Sequence, residues 1–199
     1  MKRSNLMGYT EVYVALGTSL ANGQMKPGER INTAALAKKM DVSTTLVWEA
    51  LAQLAGRDVV EKRKGEGFHF VRLSGSAIAD LYRIHGFVID LALERWVPMT
   101  SLRMNRDPWI MFDKIVTRTS DAGLLGIARY LNDRMRMFRR YERKLVDGLP
   151  SITSELTEAL KAGKIEEARK AGRHFHDQCQ AAAPQLSEAY NDARQSPIT

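Results

Sequence analysis

The stretch TAALAKKMDVSTTLVWEALAQL, followed after a short turn by VVEKRKGEGFHFVRL, constrains the fold more than any other part of the chain. Leu36 and Met40 share one face of a helical run that begins at Thr33. Val47, Ala50, Leu51 and Leu54 share one face of the next run. Asp41-Val42 turns the chain between them, and Ser43 is a good N-cap for the second run. The period then drops to that of a strand: residues 59–61 and 68–72 are β-prone and flank the tip Lys64-Gly65-Glu66-Gly67. Upstream, residues 9–21 carry Val12, Leu16 and Leu20 at helical spacing until Asn22-Gly23, and MKPGERI turns at Pro27-Gly28. Three helices and a basic hairpin in this order predict a winged helix-turn-helix over residues 1–73.

Beyond Leu73 the pattern is wholly helical. Ser74-Gly75-Ser76 caps a long helix reaching about Trp96, with Ile78, Leu81, Ile84, Val88, Leu91 and Leu93 as its apolar stripe and Pro98 as its stop. Further helices are expected over roughly 109–119, 124–145, 152–162 and 165–194, with breaks at Asp147-Gly148 and Gly163 and a bend near Pro184. The expected fold is mainly α: a winged helix-turn-helix over 1–73 followed by an antiparallel all-helical bundle over 74–199.

The net charge of +7 leans toward an anionic partner. The excess is densest at the amino end, with 11 Lys/Arg against 7 Asp/Glu up to Leu73. A single cysteine, Cys179, excludes an intramolecular disulfide and fits a reducing compartment. MKRSNLMGYTEVYVALG lacks the apolar run of a signal peptide, and no stretch approaches a membrane span. A cytoplasmic protein with no membrane partner is expected.

Two segments carry a resemblance. GQMKPGERI and ALAKKMDVSTTLVWEALAQLAGRDVVEKRKGEGFHFV together resemble the GntR family of bacterial transcriptional regulators. Leu81-Tyr82 and EALKAGKIEEARKAG are similar to the family's fatty-acid-responsive (FCD) helical tail. The resemblance implies a dimer on a palindromic double-stranded DNA operator, with a small effector inside the tail. It also implies two arginines on the recognition helix, and these positions hold Thr44 and Trp48 here.

Residues expected at the DNA are Arg30, Lys38, Lys39, Ser43, Thr44, Thr45, Trp48, Lys62, Arg63, Lys64, Gly65 and His69, with phosphate contacts from the cations. Position 48 lies about 40° from position 44 around the helix axis, away from the face set by 47, 50, 51 and 54. Trp48 thus points outward. It packs either on a thymine methyl, giving a relaxed or A·T-leaning operator, or on Ala52 and Ala55 as filler.

In the tail, His85 falls where relatives carry an arginine facing the cavity, and His85, Asp113 and His174 are the candidate effector contacts. Its alternative is a core histidine donating to a backbone carbonyl. The family's metal-binding Asp and three His fall near Trp109, on Asp113, on Thr153 and near Phe175, so no metal or other cofactor is expected. His174 and His176 lie about 200° apart on a helix and cannot share a pocket. RMRMFRRYERK, residues 134–144, reads as a solvated face or cavity rim, with Met135, Phe138, Glu142 and Leu145 on one side. There is no glycine-rich phosphate loop, nucleophile elbow or HExxH, so no enzyme is expected. The resemblance implies a transcriptional regulator, by family tendency more a repressor than an activator, and the lack of metal ligands leaves acyl or aromatic effectors open. The alternative is a ligand-binding dimer whose degenerate head acts through a protein partner.

Overall fold

The computed structural model describes residues 9–22, 25–98 and 107–192. The chain runs α1 (Tyr9–Ala21), α2 (Thr33–Met40), α3 (Thr44–Ala55), β1 (Val60–Arg63), β2 (Gly67–Phe70) and α4 (Gly75–Leu93). It continues through α5 (Pro108–Thr117), α6 (Ala122–Met135), α7 (Arg139–Leu145), α8 (Leu149–Ala162), α9 (Ile165–Ala181) and α10 (Ala183–Asn191).

The first three helices pack as their apolar faces require. Val12 and Leu16 of α1 meet Val47, Ala50, Leu51 and Leu54 of α3, and all six are buried. Side-chain caps set the starts of α2 and α3: Asn32 Oδ1 accepts from Ala35 N, and Ser43 Oγ accepts from Leu46 N. Asp41 closes α2 in the left-handed region at φ 54°. The turn before α2 has Pro27 and Gly28 at its centre, closed by Glu29 N donating to Lys26 O, with Gly28 at φ 83°. This is a type II turn, which needs a glycine at its third position.

β1 and β2 pair antiparallel, Val60 opposite Phe70 and Lys62 opposite Phe68. Residues 28–31 lie along the other side of β2, Gly28 N donating to Phe70 O and Ile31 N to Phe68 O. The wing therefore has a third edge that the sequence pattern did not reveal. Its tip is closed by Glu66 N donating to Arg63 O, with Gly65 at φ 79°.

In the bundle, α4 packs along α9 and α10 and touches α5 and α6, while α8 lies on α9. Ser74 caps α4 by accepting from Ala77 N. Three expectations are corrected here. Ile84 and Leu91 face outward, because the buried stripe of α4 is Ile78, Leu81, Tyr82, His85, Val88, Ile89, Ala92 and Leu93. The helix expected over 124–145 is broken at 136–138, so Met137 and Phe138 can both turn inward. The last helix breaks at Ala182, two residues before Pro184, where the missing N–H can be tolerated in a first turn.

The far end of the bundle grips the chain leaving the wing. Asn191 Nδ2 and Ser187 Oγ both donate to Leu73 O, Leu73 N donates to Asn191 Oδ1, and Tyr190 OH donates to Val71 O. A second link joins α1 and the turn after α3 to α6, where Asp133 accepts from Tyr13 OH and pairs with Arg57, each at 3.0 Å.

Candidate nucleic-acid interface and bundle interior

In a helix-turn-helix, the amino-terminal part of the second helix meets base edges. Here that part is Thr44, Thr45, Trp48 and Glu49, all exposed. Ser43, expected at the DNA, has its hydroxyl engaged in the cap. Lys38 and Lys39 are exposed on the last turn of α2, and Arg30, Lys62, Arg63, Lys64 and the tip at Gly65 are exposed as well. The charge of the wing is partly internal. Arg63 is paired with Glu61 and lies near Glu66, whereas Lys62 has no carboxylate within ion-pair distance among the described residues.

His69 departs from its expected place. It is 5% exposed, bridged to Arg30 across the ribbon, with Nε2 3.8 Å from Glu66. Its side chain is therefore withdrawn from the surface on which it was expected.

Trp48 has partners within this chain that the sequence did not indicate. Its ring meets Phe68 edge-on at 5.6 Å, and Lys62 Nζ lies 4.4 Å from its ring centroid. Helical side chains lean toward the helix's amino end, which carries position 48 away from 52 and 55. The ring remains 45% exposed.

The three candidate effector contacts do not meet. His85 is fully buried in the bundle. Asp113 is exposed and lines a cleft of about 420 Å3 between the head and α6, with Tyr13, Arg57 and Asp133. His174 is exposed and lines another of about 860 Å3 between α8 and α9. The separation of His174 and His176 follows the helical geometry: one is exposed, the other buried.

His85 is bonded to a second histidine rather than to a backbone carbonyl. His176 Nδ1 lies 2.6 Å from Gly172 O, and His176 Nε2 lies 2.8 Å from His85 Nδ1. A carbonyl only accepts, so His176 carries its proton on Nδ1. Its Nε2 then accepts from His85 Nδ1–H, and the pair is neutral. Burial holds both rings below the ordinary histidine range, His176 to about 4, and each ring would disfavour charge on the other.

Rings fill the space around this pair. Trp109, Phe112 and Phe175 lie 5.0–5.9 Å apart centroid to centroid, and Phe112 packs on both histidines. At the positions where a metal would be ligated stand buried Trp109, exposed Asp113, Thr153 with its hydroxyl on Leu149 O, and buried Phe175. Indole, phenyl and a committed hydroxyl are not metal ligands, so this donor set does not fit one. Among the described residues, no group of three His, Cys, Asp or Glu could hold an ion.

Sequence reasoning did not single out the buried acid of this interior. Glu142 is 3% exposed and accepts from Tyr82 OH at 2.5 Å and Trp109 Nε1 at 2.7 Å. Burial pushes its carboxyl up to about 7, against these two hydrogen bonds and the Arg139 charge. Arg139 lies 3.3 Å over the Trp109 ring and donates to Asn132, and burial lowers it to about 10. The signal was a carboxylate on the apolar face of Met135 and Phe138. Trp109, Arg139, Glu142 and Leu149 line an open cleft of about 760 Å3. Cys179 is fully buried and its thiol is pushed up by that burial, which makes it inert packing.

The fold and its exposed helix end define a winged helix-turn-helix head joined to an all-helical bundle. Residues 8–70 match the family model described as bacterial regulatory proteins, gntR family. The HTH-type transcriptional regulator YdhC of Bacillus subtilis (strain 168) is 33% identical over 86 residues, a match covering 43% of this chain and 38% of that protein. The fold extends over nearly the whole chain in two solved structures. McbR/YncC of E. coli has a TM-score of 0.65 at 21% identity, covering 94% of this chain and 100% of that one. A transcriptional regulator GntR from Rhodococcus sp. RHA1 has a TM-score of 0.70 at 18% identity, covering 92% and 98%. No described helix is long and apolar enough to cross a membrane.

Proposed function

We propose that this chain is a cytoplasmic DNA-binding transcriptional regulator of the gntR family, acting as a repressor. The observation that carries this is the exposed amino-terminal end of α3, with exposed Lys38 and Lys39 on the last turn of the preceding helix and Lys62 brought over Trp48 from the wing. Cations in such an arrangement neutralise phosphates and fix the helix's register, while the helix meets the bases. The description of YdhC as an HTH-type regulator agrees. Recovery of bound DNA from the genome at defined salt is the test. Enrichment of discrete duplex sites supports the reading. Uniform recovery of all DNA instead favours a degenerate head working through a protein partner.

The bundle, in this reading, is an FCD-type module that dimerises and takes a small acyl or aromatic effector. For dimerisation the support is Ile84, Phe87 and Leu91, which stand exposed on one face of α4. Light scattering on the full chain at micromolar concentration should give twice the chain mass; a monomer overturns this part. For the effector, the ring-filled interior leaves the open cleft at Trp109, Arg139, Glu142 and Leu149 as the best place. From Glu142 the packing runs through Tyr82 and Phe138 to Tyr190, which bonds the segment leaving the wing. A ligand that moves Trp109 or Arg139 can thereby shift how firmly the head is held.

A further inference from the structure

α3 must meet the bases, yet TTLVWEALAQLA contains no lysine or arginine. A cation is brought to its exposed face from the wing. Lys62 is opposite Phe68 in the ribbon register, so both side chains leave the same face of the strand pair, the face turned toward α3. Phe68 is buried there and braces the Trp48 ring edge-on, while the Lys62 ammonium rests over that ring, 4.4 Å from its centroid. Neighbouring Arg63 is on the opposite face, paired with Glu61, and Lys64 is on the turn.

We propose that Lys62, held over the Trp48 ring, is the guanine-reading residue of this head, with Trp48 as its platform. This deepens the DNA-binding reading and rests on it. A free lysine side chain has many rotamers and usually serves as a point charge for phosphate. The ring removes much of that freedom before DNA arrives, because its negative face attracts the ammonium. The ammonium is thus held beside Trp48, in the exposed amino-terminal part of the helix that enters the groove, not at the wing's outer rim. In the major groove a lysine ammonium can donate to both O6 and N7 of guanine, a pair of acceptors no other base presents. The indole that looked like a loss of readout becomes the support for a cation supplied from another element.

The test is selection from a random pool of duplex DNA, with the full chain and three variants: Lys62→Met, Lys62→Arg and Trp48→Leu. All three changes are at exposed positions, and thermal melting checks that each variant folds. The native chain should enrich a guanine at one position of each half-site. Lys62→Met should flatten that position by on the order of tenfold or more, leaving the remaining positions unchanged. Trp48→Leu, which keeps the lysine but removes its platform, should flatten the same position. Lys62→Arg should retain the guanine. If Lys62→Met weakens every sequence alike and leaves the preference profile intact, Lys62 is a phosphate contact and the inference is overturned. A native chain that enriches no duplex at all overturns the DNA-binding reading itself, and the two failures are thereby distinct.

Discussion

Replacing Glu142 by Gln should change how stability depends on pH, and the structure fixes the sign. Burial places the Glu142 carboxyl at about 7 in the folded chain against an ordinary 4.5. A raised acid contributes stability that is fully present below the unfolded value and is lost as pH rises through the folded one. The window therefore runs from 4.5 to about 7, and the displacement corresponds to ~3 kcal/mol. The buried histidines act oppositely. His176 is lowered from 6.5 to about 4, so its contribution is present above 6.5 and lost as pH falls to about 4, again ~3 kcal/mol, and His85 shifts in the same direction. In the native chain the acid masks part of the histidine effect. Urea unfolding of both proteins between pH 4 and 7.5 measures the difference directly. The Gln side chain loses one acceptor, a constant offset that pH does not move. Relative to the native chain, the variant should gain ~3 kcal/mol as pH rises from 4.5 to 7. Below 6.5 its own curve should fall more steeply toward acid than the native one. A difference between the two proteins that stays flat across this window would refute the reasoning, because Glu142 would then titrate as an ordinary carboxyl.

Phe175→Ala should cost ~3–5 kcal/mol, since Phe175 is fully buried among Tyr82, Trp109 and Phe112; a loss under ~1 kcal/mol in urea unfolding would mean the bundle centre is loosely packed. Asp133→Ala removes the acceptor shared by Tyr13 and the partly exposed Arg57, and should cost no more than ~1 kcal/mol. Hydrogen exchange of α1 amides should nevertheless quicken, whereas unchanged exchange would show that apolar packing alone holds α1. Ser43→Ala removes the cap of α3 and should lower stability by ~1 kcal/mol, read by thermal unfolding, with Leu46 N as the group left without its partner.

The head was legible because its elements are short, capped and punctuated. Ser43, Pro27-Gly28 and the glycines of the tip act locally, and their effects do not depend on what packs against them. The third edge of the wing was not legible: residues 28–31 have no β pattern of their own and pair with β2 because the preceding turn delivers them there. In the bundle the existence of the helices was readable from apolar spacing, but their rotation was not always. α4 has apolar residues around much of its circumference, so periodicity alone could not say that Ile84 and Leu91 face out while Tyr82 and His85 face in. The candidate effector contacts were placed by register against the resembled tail, one residue at a time. Whether His85 meets Asp113 or His176 depends on how α4, α5 and α9 are arranged, which no local signal encodes. Trp48 was read correctly as outward-pointing from helical phase. Its partners, Phe68 and Lys62, lie on a different element and came only with the register of the ribbon.

The affinity of the full chain for duplex DNA across a salt series tests the central claim most directly, with fluorescence anisotropy as the readout. Each cation that neutralises a phosphate contributes about −0.9 to the slope of log affinity against log salt. With Arg30, Lys38, Lys39 and Lys64 exposed around α3, each head should contribute a slope of roughly −3 to −4, and discrete genomic sites should bind more tightly than random duplex at every salt. A slope shallower than about −1, or no binding at ~50 mM salt, would contradict a DNA-binding head.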